Sequence, residues 1–218
     1  MLEKMDDFFE KRLSDYDNHM MTAIEGANEF YKYTASLLPR EAGAEILDLG
    51  CGTGLELEEY FLLNPSARIT GIDLSEAMLN ALKAKFPDKS LNLICGSYFD
   101  ADFESERYDA AVSVESLHHF TAERKLPLYQ KIFRALTPNG YFVLTDYFAE
   151  SDELEKIYFE TLEKLRKEQG IDGNGFYHYD TPLTVEHEIE IFKKAGFSSV
   201  EILKNWEATY TLIAKRTV

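Results

Sequence analysis

The chain has 218 residues, 45% of them hydrophobic and 13% aromatic, which is enough to bury the core of one domain. Its 39 acidic and 23 basic residues give a formal net charge of −16, which disfavours nucleic acid and anionic membranes as partners. No apolar run reaches the ~18–20 residues that span a bilayer, and the charged N-terminus is unlike a signal peptide, so we expect a cytoplasmic monomer or homodimer.

The N-terminal residues have the pattern of helices. Apolar residues recur at helical spacing over residues 17–38, which predicts an amphipathic helix that ends before Pro39, and we expect a shorter helix before it. From residue 44 the periodicity changes. The short apolar run EILDLG predicts a strand that is buried on both faces.

Helices and strands then alternate as far as residue 146. The pattern predicts helices over residues 54–63, 76–86 and 122–136, and strands over residues 68–73, 91–95, 108–114 and 141–146. Pro138-Asn139-Gly140 predicts a turn before the last of these strands. Strands separated by helix-length segments imply parallel pairing with right-handed crossovers.

The last third departs from this alternation. Residues 152–169 predict a charged helix, and an irregular glycine-rich stretch follows it. Helix 185–195 then precedes a hairpin of SVEILK and ATYTLIAK, with its turn at Asn205-Trp206. We interpret the acidic faces of helices 54–63 and 152–169 as exposed to solvent.

The most informative motif is a strand that runs into three glycines at alternate positions, from Ile46 to Gly54, and then into a helix. Glycine permits a sharp turn and the close approach of a ligand, and the helix N-terminus offers N–H groups to an anion. Asp73 ends the next strand, 19 residues after Gly54, where a carboxylate accepts both ribose hydroxyls of an adenosine ligand. The motif predicts an adenosine site; a glycine turn and an unrelated aspartate are the alternative.

With these motifs the sequence resembles the class I S-adenosylmethionine-dependent methyltransferases. ILDLGCGTG is similar to their first motif, GIDLS to their second and RALTPNGYFVLTD to their late-strand motif, over about residues 44–146. The resemblance implies an α/β fold with a Rossmann-like, seven-stranded, mostly parallel sheet that has one antiparallel strand, helices on both faces and an N-terminal helical lid. It also implies S-adenosylmethionine as the cofactor and S-adenosylhomocysteine as its product.

The resemblance also implies which residues bind the cofactor. They are Asp48 and the loop residues Gly50, Cys51, Gly52 and Gly54 near the methionine part, Asp73 at the ribose, Leu74 and Met78 near the adenine, and Glu115 beyond the fourth strand. The family's third motif has an acid after its glycine, where this chain has Ser97. The contact to the adenine amino group is therefore left open among Ser97, Tyr98 and Asp100.

Segments outside the cofactor core supply the candidates for an acceptor site. His118 and His119 follow the fourth strand, in a segment that similar small-molecule methyltransferases carry. We expect His118 to bind the acceptor and His119 to act as a general base, with structural packing as the alternative. No metal is expected, because no further His or Cys cluster completes a ligand set.

Aromatic and polar residues of the N-terminal and glycine-rich segments are expected to line the acceptor pocket. These are Tyr16, His19, Tyr177 and Tyr179. We expect residues 1–38 and 170–181 to form a lid over it. The chain then reads as one methyltransferase domain with four parts: a helical cap (1–40), a cofactor-binding core (41–147), a helix and loop insertion (148–184), and a final helix with an antiparallel hairpin (185–218).

These features predict methyl transfer to a small molecule by in-line displacement at the sulfonium methyl. A module that binds S-adenosylmethionine or S-adenosylhomocysteine without chemistry is one alternative. A nicotinamide-dependent oxidoreductase is another, which the spacing G-x-G-x-G instead of G-x-G-x-x-G disfavours. Cys51 and Cys95 are expected to stay unpaired, because the implied sheet places another strand between them.

Overall fold

The sheet has seven strands: β1 (Glu45–Leu49), β2 (Arg68–Asp73), β3 (Ser90–Cys95), β4 (Tyr108–Val114), β5 (Leu136–Tyr147), β6 (Ser199–Trp206) and β7 (Thr209–Lys215). The helices are α1 (Met5–Ala23), α2 (Ala27–Leu37), α3 (Leu55–Leu63), α4 (Glu76–Lys85), α5 (Ala122–Ala135), α6 (Asp152–Glu168) and α7 (Val185–Ala195), with a short 3₁₀ helix at Leu117–His119. The computed structural model describes residues 1–173 and 175–217.

The strand order is β3-β2-β1-β4-β5-β7-β6, and β7 is antiparallel to both of its neighbours. The pairs from β3 to β5 are parallel, because each crossover contains a helix or a long loop. This confirms the predicted mostly parallel sheet with one antiparallel strand. Two residues, Glu207 and Ala208, join β6 to β7, so the hairpin turn lies two residues beyond the predicted Asn205-Trp206.

The two N-terminal helices differ from the predicted long helix at residues 17–38. The chain breaks at Gly26, whose φ of 77° is left-handed, and α1 extends back to Met5. A Cβ on Gly26 would lie 2.6 Å from Cβ of Trp206, so this glycine also allows the chain to approach the hairpin closely. Because this approach joins residues far apart in sequence, helical periodicity does not reveal the break.

The predicted turn at residues 138–140 lies inside β5. Leu136 pairs with Tyr108 and Tyr141 pairs with Ala110, so β5 advances by five residues where β4 advances by two. The proline and glycine therefore form an excursion from the ladder, which resumes at Tyr141.

Alternate side chains of the central strands point into two apolar clusters, one on each face of the sheet. Leu47 of β1 packs with residues of α5 and α7, and its neighbour Ile46 packs with residues of α2 and α3. This burial on both faces holds the carboxyl ends of β1, β2, β4 and β5 at one edge, where loops from different strands converge.

The two cysteines are unpaired, as expected. Cys51 follows β1 and Cys95 ends β3, and β2 lies between these two strands. Within the described residues, no helix is both long enough and apolar enough to cross a membrane.

Candidate active site

The glycine loop crosses the end of β2 directly after β1. The N–H groups of Gly50 and Cys51 donate to the carbonyl of Ile72, at 2.8 and 3.2 Å. A Cβ on Gly50 would collide with the hydroxyl of Ser116, whereas a Cβ on Gly52 would meet nothing nearer than the ring of Tyr16 at 3.9 Å. The loop therefore needs glycine at position 50 for packing, and Gly52 exposes its backbone to the space below Tyr16.

Asp73 lies at the carboxyl end of β2 beside this loop. Its carboxylate accepts hydrogen bonds from the N–H of Gly52 at 3.0 Å and of Ser75 at 2.8 Å. Burial raises the pKa of Asp73, and these two N–H donors partly oppose that shift. The acid and the glycine loop thus form one wall of a cavity.

That cavity has a volume of about 40 Å³. Its lining comprises Met5, Phe9, Tyr16, Gly50, Gly52, Asp73, Leu74, Met78, Tyr98, Glu115, Ser116 and His119. Pockets that bind small-molecule ligands and cofactors usually enclose roughly 300–1,000 Å³. Three of the lining residues, Met5, Phe9 and Tyr16, belong to α1, so this helix narrows the cavity.

A pair of buried carboxyl groups lies behind the loop. Asp48 is 1% exposed and Glu56, in the first turn of α3, is 5% exposed. Among the described residues, no donor other than the neighbouring carboxyl group reaches Asp48 Oδ2 or Glu56 Oε1. Burial and the adjacent Glu56 raise the pKa of Asp48 well above its usual value. Glu56 is thus not solvated, contrary to the expectation for the acidic face of this helix.

Helix α1 closes the site from above and is fastened to it by Asp17. The Asp17 carboxylate accepts a hydrogen bond from the Thr53 hydroxyl and pairs with Lys85 at 2.8 Å. At its start, α1 is joined to the glycine-rich segment: Met5 N–H donates to the Phe176 carbonyl at 3.1 Å. The two predicted lid segments are therefore in direct contact.

A second and larger cavity, of about 690 Å³, adjoins the first. It is lined by α1, the loop after β4, the end of β5, the segment before α7 and the turn between β6 and β7. Both cavities are lined by four residues: Phe9, Tyr16, Glu115 and His119. These four residues, here called the junction, separate the nucleoside side from the larger space.

His119 belongs to this junction and His118 precedes it in the chain, and the two rings have opposite electrostatic surroundings. His118 Nδ1 is 2.6 Å from Asp146 and its Nε2 is 3.5 Å from Asp180. Burial opposes a charge on this ring, but the two carboxylates outweigh it and raise the pKa of His118 well above its usual value. Burial and the neighbouring His118 lower the pKa of His119. These surroundings favour an imidazolium at His118 and a neutral imidazole at His119.

Known proteins match both the central part of this chain and nearly its whole length. Residues 46–140 match a family model described as a methyltransferase domain. A carboxy-S-adenosyl-L-methionine synthase of Helicobacter hepaticus is 26% identical over 97% of this chain and 90% of its own, and a demethylmenaquinone methyltransferase of Lactococcus lactis is 28% identical over 93% and 85%. The fold is similar to that of a methyltransferase from Mesorhizobium loti, at a TM-score of 0.62 and 19% identity, covering 84% of this chain and 96% of that one.

These matches are consistent with a class I S-adenosylmethionine-dependent methyltransferase. They support a methyltransferase enzyme that uses S-adenosylmethionine as its cofactor.

The buried groups of this methyltransferase fit that cofactor. Each oxygen of Asp73 accepts one N–H and keeps a lone pair for a ribose hydroxyl. Gly52 leaves room for close approach of the ligand to the backbone.

The structure brings most of the cofactor residues expected from the sequence into one cavity and leaves others behind it. Gly50, Gly52, Asp73, Leu74, Met78, Tyr98 and Glu115 line the small cavity, whereas Asp48, Cys51, Gly54 and Ser97 do not. Gly54 has a different role, because a Cβ there would lie 3.2–3.3 Å from Phe86 and Leu82. It permits α3 to start in close contact with α4.

The acceptor residues expected from the sequence divide in the same way. Tyr16, His19 and His118 line the large cavity, whereas Tyr177 and Tyr179 line neither cavity; His178 and Asp180 line the large one instead. Residues 176–180 form no helix, and Tyr177 makes a bridge with Lys4. In extended chain, alternate side chains point to opposite sides, so a shift of one residue exchanges the two sets.

Several lining residues had no signal in the sequence. Met5, Phe9 and Ser116 in the small cavity, and Asp146, Tyr147 and Trp206 near the large one, come from elements far apart in the chain. Only the aromatic residues of α1 could have been suspected, because they repeat along one helix.

Proposed function

We propose that this methyltransferase transfers the methyl group to a small molecule held in the large cavity. The observation that supports it most is the junction, where four side chains line both the cofactor side and a cavity of about 690 Å³. S-Adenosylmethionine supplies an electrophilic methyl group, so the protein mainly has to align an acceptor and exclude water. The aromatic side chains Phe9 and Tyr16 at the junction serve both tasks.

His119 is the proposed general base. Its Nδ1 lies 3.2 Å from the carbonyl oxygen of Tyr179 and 3.3 Å from Asp180. A carbonyl oxygen only accepts, so the proton belongs on Nδ1, and Nε2 keeps the lone pair that can take a proton from the acceptor. Asp180 and Tyr179 thereby orient the ring of a residue that lines both cavities.

The first test is transfer of label from methyl-labelled S-adenosylmethionine to a panel of small amines, alcohols, thiols and acids. We expect at least one of these to be methylated. Cofactor binding without transfer to any of them would instead support a module that binds the cofactor without chemistry.

The second test is His119→Gln, with the acceptor found in that panel. We expect kcat to fall by about 10²–10⁴-fold, as for removal of a general base, with cofactor affinity within about threefold. In the wild type, kcat should fall as the pH drops through the lowered pKa of His119, because the protonated ring is no base, and this acid limb should vanish in the variant. His187→Gln, on α7 and outside both cavities, is the matched control. An unchanged kcat in His119→Gln would show that His119 is not the general base.

Residues 1–38 and 170–181 are the proposed lid. This rests on the three α1 side chains in the small cavity and on the contact of α1 with the Phe176 backbone. The four-part division of the chain, the cytoplasmic location and the monomeric or dimeric state remain predictions from the sequence. The relatives named above carry different names for their activities, so we infer the acceptor from the cavity.

A further inference from the structure

The lining of the large cavity is strongly acidic. It contains one arginine and no lysine, against five carboxyl groups, namely Asp15, Glu25, Glu115, Asp180 and Glu207. Asp15, Glu25 and Glu207 are exposed, whereas Glu115 lies at the junction beside His119. The negative charge therefore extends from the surface to the point where the acceptor must meet the methyl group.

The positive groups of this lining are already paired. The Arg12 guanidinium is 3.1 Å from the carboxylate of Glu3 and lies 3.7 Å from the ring centre of Phe8. His118 lies between Asp146 and Asp180. An anionic ligand would thus meet no uncompensated cation, and it would also face the surrounding carboxylates.

Several carboxyl groups, in contrast, take part in no close ion pair. Across the described part of the chain, Asp15, Glu25, Glu115 and Glu207 take part in none of the ion pairs within 4.0 Å. Glu115 accepts a hydrogen bond from the Thr209 hydroxyl at 3.2 Å, and its carboxylate lies within 4.8 Å of side-chain atoms of His118 and Asp146. Its φ of 48° is left-handed, which is rare for a residue other than glycine and is often retained at functional sites.

Aromatic rings form much of the remaining wall. Phe9, Tyr16, Tyr147 and Trp206 line the large cavity together with Phe8. Such rings bury the apolar body of an organic molecule, and their faces attract cations. Arg12 over Phe8 and Lys204 over Trp206, at 4.4 Å, show that rings of this lining hold cations within the chain itself.

We propose that the acceptor is an organic amine that enters as an ammonium ion, with Glu115 as its counter-ion and its apolar body against the aromatic rings. This rests on the proposed function. His119 Nε2 takes the proton from the ammonium nitrogen, whose freed lone pair forms the bond to the methyl carbon as the carbon–sulfur bond breaks and leaves its electron pair on sulfur. The methylated nitrogen then carries one positive charge, and the proton leaves from His119 to solvent.

Binding to the protein saturated with S-adenosylhomocysteine tests this without turnover. Calorimetry compares primary amines with alcohols and carboxylates that carry the same organic group, such as 2-phenylethylamine, 2-phenylethanol and 3-phenylpropionate. We expect the amines that bind to do so at least tenfold more tightly than their alcohols, and the carboxylates to bind least. If no amine in the panel binds more tightly than its matched alcohol, the inference is wrong.

Glu115→Gln separates a counter-ion from a structural role. The variant should lose at least tenfold in amine affinity while the alcohols bind as before, and Glu186→Gln, exposed on α7, should change neither. Equal losses for amines and alcohols would overturn the counter-ion role. Burial raises the pKa of Glu115 to about 7, so this carboxyl group is partly protonated at pH 7. Binding of an ammonium ion should therefore displace up to about half a proton from Glu115, and the variant should not show this release.

The failure of this inference differs from a failure of the proposed function. Methylation of an alcohol, thiol or acid, but of no amine, overturns only the amine assignment. Binding of cofactor without transfer to any acceptor overturns the methyl transfer itself.

Discussion

Asp73 shows how one side chain serves both the fold and the ligand. It receives the N–H groups of Gly52 and Ser75 and lines the small cavity. A carboxylate in this position fixes the glycine loop before the cofactor arrives, which reduces the ordering that binding would otherwise require.

We therefore expect Asp73→Ala to weaken S-adenosylmethionine binding by roughly 1.5–3 kcal/mol, the range for hydrogen bonds to a charged group. Calorimetry measures the affinity, and circular dichroism checks that the variant is folded. Asp88→Ala, at an exposed position, should bind as the wild type does. An unchanged affinity in folded Asp73→Ala would refute the ribose assignment.

The histidine cluster has the spacing of a metal site. One atom each from His118, His119 and Asp180 lies within 4.8 Å of the others. We nevertheless expect no bound metal, because both ring nitrogens of His118 already pair with carboxylates, Asp146 at 2.6 Å and Asp180 at 3.5 Å.

Metal analysis of the purified protein should find no stoichiometric metal, and EDTA should leave methyl transfer unchanged. Activity that EDTA abolishes and one equivalent of zinc or manganese restores would contradict this expectation.

Helix α1 combines a role in the site with weak anchoring. Only Met5 and Met20 of its 19 residues are buried, and no side chain caps its N-terminus. An element with so little burial opens locally at small cost, as the proposed lid requires.

In hydrogen exchange, α1 and residues 170–173 and 175–181 should exchange faster than β1 and β4 in the free protein and slow when S-adenosylmethionine binds. Asp17→Asn removes the charge that pairs with Lys85 and should accelerate exchange in α1 but not in the strands. If α1 is already as protected as the central strands, it is fixed structure and the lid is disproved.

The contact between α5 and α7 contains a buried ion pair. Lys125 Nζ lies 2.6 Å from Glu188, which also accepts a hydrogen bond from the Tyr129 hydroxyl, and both charged side chains are almost fully buried. Removing a charge from water costs free energy, and each of these two charges offsets that cost for the other only while both are present.

Glu188→Gln should therefore lower the free energy of unfolding by about 3–5 kcal/mol, because Lys125 keeps its charge without a partner. Replacing both residues, with Lys125→Met and Glu188→Leu, should restore most of that loss. Denaturant unfolding measures both, and Glu190→Gln in the exposed pair with Lys194 is the control, with an effect under about 1 kcal/mol. If Glu188→Gln lowers the free energy of unfolding as little as Glu190→Gln does, the buried ion pair is not needed for stability.

For the whole molecule, the charge of −16 determines which large partners are disfavoured. At about 0.15 M salt, we expect no binding to labelled duplex DNA or tRNA at a protein concentration of roughly 10 µM. Nonspecific binders with a Kd of about 10⁻⁶–10⁻⁴ M respond in this concentration range. Fluorescence anisotropy measures this. Binding that weakens steeply with added salt would reveal a basic surface and contradict the expectation.

The sequence alone determined the cofactor half of this protein. The strand from Ile46, its glycines and Asp73 are close in the chain, and local backbone geometry requires those residue types at those places. Alternation of strands and helices likewise predicted the parallel sheet, because burial on both faces leaves a continuous apolar run.

Only the tertiary structure decided the acceptor half. The large cavity joins α1, Glu115, Asp180 and the turn at Glu207, which are distant in sequence, and no periodicity relates them. Whether Tyr177 or His178 faces the cavity depends on a bridge to Lys4, and whether Glu56 is solvated depends on Asp48 behind the loop. Long-range packing sets both, so patterns along the chain could not predict them.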